Sequence, residues 1–542
     1  GSENPNCTAE YTRKWLRGMG FANDIVSEAA KLLEKYTKWN GRCRPEVLSS
    51  KTYHPAHFGE SFRILDEVDK AQQRGEELCK LVKPQLADCF FELVYYPLMA
   101  SANILRMQIY AGINQYFALQ GKKSANDYPE KIENCIRKDQ ELAKKYHGLL
   151  GGKWNHMQSV FHIGYPGWND EEWQYPRYTG FFPVTWPRLL VNVIGQNSTG
   201  GNPWRRKTLK MTLADPVKRM SGFEVANGGQ GVLNYRIEWD ADWLEIAATS
   251  EEIRKMVIPQ NGGDEEKMLD MEETGNIVRG KSLPYCLDGL ETISEKDFAV
   301  RLKPELLPKG EKRCTALIRI YGENCEETAE RSENGYSETR VDIEVSVDIY
   351  YLEEVDADSF VECGGVLSVE ASHFCSAVAV GEASYQVIAD YGRTLGGVKV
   401  FPVTAAFKEP KDAPYIAYKL YVREAGDYTL TLYTAPSNPV VYQGKMRVGV
   451  RVGDGEFKMV NTIPEAGYVP WQSAAWSRGV LEQIHRSECK VSLKEGSNLL
   501  YIAALDPAVV LEKLVLVKEG ADCPETYLGP TESFRILRNS KQ

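Results

Sequence analysis

The chain reads as a multidomain α plus all-β protein. An antiparallel helical bundle comes first, then an immunoglobulin-like β-sandwich, then a C-terminal jelly-roll-like β-sandwich. Three observations predict this. Apolar residues recur at helical spacing up to about residue 147, and from residue 209 onward the period changes to two. Between them lies Gly152 to Pro176, where Trp154, Trp168, Trp173, Tyr165 and Tyr175 crowd together and the texture changes. A chain of 542 residues has room for about three to four domains.

Residues 8–40 read as one helix broken near Gly18 to Gly20. Its apolar stripe is Trp15, Phe21, Ile25, Ala29, Leu32, Leu33 and Tyr36. Asn40-Gly41 ends it, and Pro45 makes the segment from Arg42 to Glu46 a linker. A second helix spans 58–82 with Phe62, Leu65, Val68, Leu78 and Leu81 on one face. Pro84 suits the first turn of a third helix running to about Leu119, and Pro97 within it predicts a kink. After the polar loop Gly121 to Asn126, a fourth helix covers about 127–147. Long amphipathic helices joined by short loops predict a bundle over 47–176.

Residues 177–204 are rich in Pro and Gly and read as an extended connector. The segments Val232 to Glu238 and Arg340 to Tyr350 alternate as strands, placing the immunoglobulin-like sandwich at 205–355. The acidic run Gly262 to Gly275 lacks the EF-hand pattern and reads as a solvated loop. Further strands, among them Val366 to Ala371, Tyr428 to Tyr433 and Val509 to Val517, place a second sandwich at 356–535.

Net charge is −10 and the basic residues are scattered, which argues against a nucleic-acid partner. No apolar run approaches the ~20 residues of a membrane span, so no membrane partner is expected. Twelve cysteines without a CxxC pair make a zinc ribbon or thioredoxin-type site improbable; no metal and no cofactor is implied. Read as free thiols, they lean towards a reducing, cytoplasmic compartment, with secretion left open. Gly1-Ser2 reads as a cloning remnant.

Several pieces, in this order, are similar to the glycoside hydrolases of family 115, the xylan α-1,2-glucuronidases. They are Glu34-Lys-Tyr-Thr-Lys-Trp-Asn-Gly-Arg-Cys-Arg-Pro-Glu46, Glu92-Leu-Val-Tyr-Tyr-Pro-Leu-Met-Ala-Ser-Ala102 and Gly152-Lys-Trp-Asn-His-Met157 with Ile163-Gly-Tyr165. Further on come Phe360-Val-Glu362, Val369-Glu-Ala371, Asp506-Pro-Ala-Val-Val-Leu-Glu-Lys513 and Tyr527-Leu-Gly-Pro-Thr-Glu-Ser533. The resemblance covers nearly the whole chain. It implies that residues 1–46 are the remnant of the last helix of a TIM barrel plus a linker. It also implies that 356–535 is like a carbohydrate-binding module. On the same resemblance, the family's α/β domain and most of its barrel precede this material, and this chain is expected to lack them. Barrel active sites sit on loops at the C-terminal ends of the strands, so no catalytic residue is carried over, and this chain is expected to be inactive alone.

The remaining candidates each have a plainer reading. Asp170, Glu171 and Glu172 would need carboxyls about 5 to 10 Å apart across a bond. Neighbours on one loop rarely achieve that, and a solvated loop is the preferred reading. His156 and His162 miss the spacing of a helical zinc pair. Trp154, Trp168 and Trp173 are candidate carbohydrate-binding rings, although aromatics in such a place more often pack domains together. The sharper candidate is the segment Gly467 to Arg478, read as a loop. Its Tyr468, Trp471 and Trp476 could stack on pyranose faces, and Arg478 could pair with a uronate carboxylate.

The resulting expectation is the C-terminal accessory part of a xylan α-1,2-glucuronidase. The intact enzyme would remove glucuronic or 4-O-methylglucuronic acid, with glucuronoxylan or xylo-oligosaccharides as partners. This part would brace the barrel and take part in oligomerisation, a homodimer among the assemblies it allows. The alternative is a stand-alone, non-catalytic carbohydrate-binding protein.

Overall fold

The computed structural model describes residues 6–160, 162–163, 175–201, 208–249, 284–325, 339–440, 445–463 and 468–537. The acidic run 262–275, and with it Trp168, Trp173 and Asp170 to Glu172, lies outside the described residues.

Helices α1 (Thr8–Gly18) and α2 (Asn23–Arg42) meet at the break expected near Gly20, which adopts φ +94°. Helix α2 turns Ile25, Val26, Ala29, Leu32 and Trp39 inward. Trp15 departs from the expected stripe: it stays 39% exposed, and its neighbour Leu16 is the buried residue of α1. Helix α3 (Glu60–Leu81) is followed by a short α4 (Ala87–Phe90), a π-helical turn over Phe91–Tyr95 and α5 (Tyr96–Gln120). The expected kink at Pro97 thus takes the form of a π-turn. Proline donates no N–H and its ring crowds the carbonyl four residues back, and the wider turn relieves both. Gly121, at φ +79°, closes α5 in the left-handed conformation that spares glycine a Cβ clash. Helix α6 (Tyr128–Gly152) packs back on α5.

Helix α5 is the central rod, with Leu98, Ala102, Leu105, Ile109, Ile113 and Phe117 all buried. Gly112 lets the Ser50 carbonyl approach it, since a Cβ there would lie 2.4 Å from that oxygen.

The first sandwich holds β1 (Leu189–Val193), β2 (Thr199–Gly200), β3 (Leu209–Asp215), β4 (Met220–Asn227) and β5 (Leu233–Trp239). It continues with β6 (Leu244–Ala248), β7 (Tyr285–Thr292), β8 (Glu295–Leu302), β9 (Arg313–Gly322) and β10 (Thr339–Ile349). Its sheets run β2-β1-β4-β8-β6 and β3-β10-β9-β5-β7. The segment 177–204, expected to be a connector, therefore supplies two strands. Leu189, Leu190, Val191 and Val193 are buried, and a run buried on both faces shows no alternation to reveal it. In β10 the alternation is plain: Val341, Ile343, Val345 and Val347 point inward. At the centre Phe223 stacks on Phe298 with ring centroids 5.2 Å apart.

The C-terminal sandwich begins with β11 (Ser359–Val361), β12 (Val366–Glu370), β13 (Ser376–Val378), β14 (Ser384–Ala389), β15 (Gly396–Phe401) and β16 (Tyr415–Val422). It ends with β17 (Gly426–Thr434), β18 (Arg447–Val452), β19 (Lys458–Asn461), β20 (His485–Leu493), β21 (Gly496–Ala504) and β22 (Leu511–Lys518). One sheet is ordered β11-β16-β21-β18-β19 with β13 beside β16, the other β14-β15-β22-β17-β20 with β12 beside β22. Leu514 and Leu516 of β22 enter the core between the sheets. Beside them the register slips: Tyr433 faces Lys513 while Thr434 faces Leu511, leaving Glu512 as an extra, bulged residue. A bulge re-aims a side chain that a regular strand would commit to one face.

Candidate functional site

Two places combine exposed or cavity-lining groups with chemistry suited to binding. The first is the aromatic segment after β19. Ser473 accepts from the Trp476 amide at 3.3 Å and caps a helix, α7 (Ala474–Glu482). Trp476 and Arg478 therefore sit on a helix and not on the expected loop. The Ser473 cap was a readable signal.

Tyr468 is buried, donates to Asn438 Oδ1 at 3.1 Å and meets the His485 ring edge-on at 5.7 Å. Its ring packs in the cluster with Met446, Ile463 and Ala475. Trp476 is half-buried against the cluster of Met446, Ile463, Tyr468 and Ala475. Arg478 is exposed on the helix surface. Trp471 is 75% exposed, holds φ +63° and lies 6.0 Å from the Trp476 ring.

A bulky residue in left-handed backbone costs about 1–2 kcal/mol, so something must hold it. The amides of Gln472 and Ser473 bond the Val469 carbonyl, and Ser473 Oγ donates to the same oxygen at 3.2 Å. The outcome is an exposed indole on a fixed turn, backed by a second indole.

Of the earlier aromatic candidates, Trp154 is partly buried against Phe91, Tyr96, Met99, Leu142 and Leu149. Lys153 Nζ lies 4.5 Å from its ring centroid. That ring packs the end of α6 and is not brought near Trp471 by any contact. Trp168 and Trp173 fall outside the described residues. His162 Nδ1 meets Asp139 at 3.0 Å.

The second place is a charged cleft of about 530 Å³ between α2, α3 and the C-terminal sandwich. The cations lining it are Lys35, Lys38, Arg42, Arg63, Arg393 and Lys513. The anions are Glu67, Glu370, Asp390 and Glu532. Most of these groups are committed to one another or to backbone. Lys38 Nζ donates to the carbonyls of Asp390, Tyr391 and Gly392 at 3.2, 3.2 and 2.9 Å. Burial pushes this ammonium down to about 8. Lys513 pairs with Glu370 at 3.0 Å and donates to the Pro530 carbonyl at 2.8 Å. Glu532 accepts from the Glu370 amide and meets His373, whose imidazole is held above its ordinary range by that hydrogen bond.

Behind the wall sits Glu512, fully buried by its bulge. It accepts from the amides of Arg393 and Thr394 at 2.8 and 3.3 Å. Burial outweighs those bonds and raises its carboxyl to about 7. Arg393 is 1% exposed, donates to the Glu482 carbonyl at the end of α7 and lies 3.6 Å from the Tyr527 ring centroid. Arg44 reaches the Val480 carbonyl of the same helix at 3.1 Å. Basic groups at a helix C-terminus satisfy its orphan carbonyls.

Sequence reasoning missed this cleft. Its residues come from six separated segments, and no one of them carries a ligand pattern. A signal was nevertheless present: four of the family-like pieces, around Lys38, Glu370, Lys513 and Gly529, all line it. They also close the joint itself. Tyr527 donates to the Arg42 carbonyl at 2.7 Å, and the Leu528 amide donates to Glu60 Oε1 at 2.7 Å.

A second joint ties α5 to the first sandwich. Lys122, 3% exposed, pairs at 2.5 Å with the fully buried Glu224. A mainly apolar cavity of about 350 Å³ opens beside that pair, walled by Phe58, Phe62, Phe117, Ile194 and Phe534. Among the described residues no cluster of His, Cys, Asp or Glu is arranged to hold a metal ion. No described helix is long and apolar enough to cross a membrane.

Comparison with known proteins bears on the C-terminal sandwich. Residues 359–532 match the family model of the glycosyl hydrolase family 115 C-terminal domain, which bears out the resemblance read from Phe360 to Ser533. Among solved structures the chain is similar to a family GH115 4-O-methyl-α-glucuronidase, BtGH115A, described as specific for decorated arabinogalactans. The two are 12% identical with a TM-score of 0.47, over 94% of this chain and 41% of that one. The chain thus spans about two-fifths of that enzyme's length. A family 35 carbohydrate-binding module from Clostridium thermocellum is 14% identical with a TM-score of 0.19, over 28% of this chain and 96% of the module. A comparison with curated proteins finds no match.

Proposed function

We propose that this chain is the C-terminal accessory portion of a family 115 α-glucuronidase, an enzyme that frees glucuronic or 4-O-methylglucuronic acid from xylan. The observation that carries the reading is the match of residues 359–532 to that family's C-terminal domain. On this reading the chain braces the catalytic body and does not itself break the glycosidic bond. The joints described above suit such a brace. Lys122 and Glu224 are buried opposite each other at one of them, and breaking a buried pair by removing one partner is costly, which holds the two bodies in one arrangement. Tyr11 and Trp15, four apart on one face of α1, remain 71% and 39% exposed. Here that face would meet the catalytic body or, in a homodimer, a second chain.

The test is a paired assay on aldouronic acids. The intact enzyme should release free glucuronate and this chain alone should release none. Glucuronate released by this chain would refute the accessory role.

A second reading, a stand-alone carbohydrate-binding protein, is favoured by the exposed Trp471 on its fixed turn. Stacking on a pyranose face needs a flat, rigid, accessible ring, and this is one. Under this reading Trp471→Ala abolishes retention on glucuronoxylan in affinity electrophoresis while the melting temperature holds. Retention equal to the parent would remove the ledge from consideration.

A further inference from the structure

Once every committed group in the charged cleft is set aside, two guanidinium groups are left over. Arg63, on α3, makes no hydrogen bond or ion pair with any described residue, and its buried Nε has no partner. Arg42, at the end of α2, has a side chain only 12% exposed. Its one ion pair is a long 3.6 Å approach to Glu67, and its Nε and Nη1 lack hydrogen-bond partners. Glu67 is itself already engaged by Lys35 at 3.0 Å and by Trp39 Nε1 at 3.2 Å. Burial pushes Arg63 below the ordinary guanidinium range; the charge of Glu60 opposes that push and the neighbouring charge of Arg42 adds to it.

Arginine keeps its proton regardless. The cleft therefore presents two guanidinium groups, on neighbouring helices, with N–H donors that no described residue accepts. The opposite wall is built with similar care. Lys38 pins the three carbonyls of a segment in which Asp390 takes φ +56° and Gly392 φ +68°. Gly392 has no alternative, because a Cβ there would sit 2.2 Å from Glu512 Oε1.

We infer that this cleft is a binding site for a small polyhydroxylated carboxylate, with the carboxylate held between Arg42 and Arg63. The planar fork of a guanidinium matches a carboxylate through two parallel N–H···O bonds. The acidic groups around it select among anions. Glu67, Asp390 and Glu532 are acceptors only, so they welcome hydroxyl donors and repel a doubly charged phosphate. A volume of about 530 Å³ is ample for one sugar acid. The site is distinct from the Trp471 ledge. It rests on the cleft's own residues and stands whether or not the chain belongs to an α-glucuronidase.

Isothermal titration of the full chain with sodium D-glucuronate tests it, with D-glucose and inorganic phosphate as comparison ligands. Glucuronate should bind at least tenfold more tightly than either. Glucose offers similar hydroxyls without the carboxylate, and phosphate offers charge without hydroxyls. Arg63→Met should weaken glucuronate at least tenfold while the chain keeps one cooperative melting transition, since Arg63 makes no hydrogen bond to a described residue and its loss removes only its charge beside Glu60. Arg63→Lys should keep part of the affinity, having the charge without the fork. Trp471→Ala should leave the affinity unchanged. The inference is overturned by no glucuronate heat with the parent chain, by phosphate binding as tightly, or by Arg63→Met binding as the parent does. Affinity lost with Trp471→Ala overturns it equally.

Discussion

Glu512→Gln tests how the interdomain joint responds to pH. The carboxyl ordinarily titrates at 4.5 and is raised to about 7 by burial. Between these values the folded chain keeps a proton that the unfolded chain has released. Stability must therefore fall as pH rises through this window. With one pKa unit equal to about 1.36 kcal/mol, linkage from pH 5.0 to pH 7.5 amounts to a loss of about 2 kcal/mol from this group. Glutamine matches the protonated acid in shape and has no charge to desolvate. The Arg393 and Thr394 amides still find a carbonyl oxygen to accept them. Lys38 falls outside the window: lowered to about 8, it adds stability only as pH rises from there towards 10.5. Urea unfolding of parent and variant at both pH values should show the two nearly equal at pH 5.0. At pH 7.5 the variant should be the more stable by about 2 kcal/mol. Equal pH dependence in both proteins would refute the claim that Glu512 is held protonated, and with it the account of the bulge.

Other substitutions probe packing and the joint. Gly112→Ala on an exposed helix would gain about 1 kcal/mol from propensity. Here the new methyl would meet the Ser50 carbonyl at 2.4 Å, so a loss of about 1–3 kcal/mol is expected in chemical denaturation. Tyr527→Phe removes the 2.7 Å donor to the Arg42 carbonyl and should cost about 0.5–1.5 kcal/mol. Limited proteolysis should then show earlier cutting between the helical region and the C-terminal sandwich. Phe298→Ala would empty the stacked centre of the first sandwich and should cost about 3–5 kcal/mol, read as a large drop in melting temperature.

Local periodicity determined a good deal by itself. The break near Gly20, the disturbance at Pro97, the end of α5 at Gly121 and the alternation of β10 all follow from interactions within a few residues, and sequence displays those directly. The strand Leu189–Val193 did not show, because burial on both faces erases the period that marks a strand. The site was less legible still. Trp471 could be picked out as an aromatic on a loop. Tyr468 looked the same in sequence, yet its environment buries it, and exposure is a property of the assembled surface. The charged cleft lay wholly beyond local reading. Arg42, Arg63, Arg393 and Glu532 meet only because two helices dock on a sandwich several hundred residues away. Which of its charges are spent on partners, and which are left for a ligand, depends on distances of a few ångströms that only tertiary structure decides.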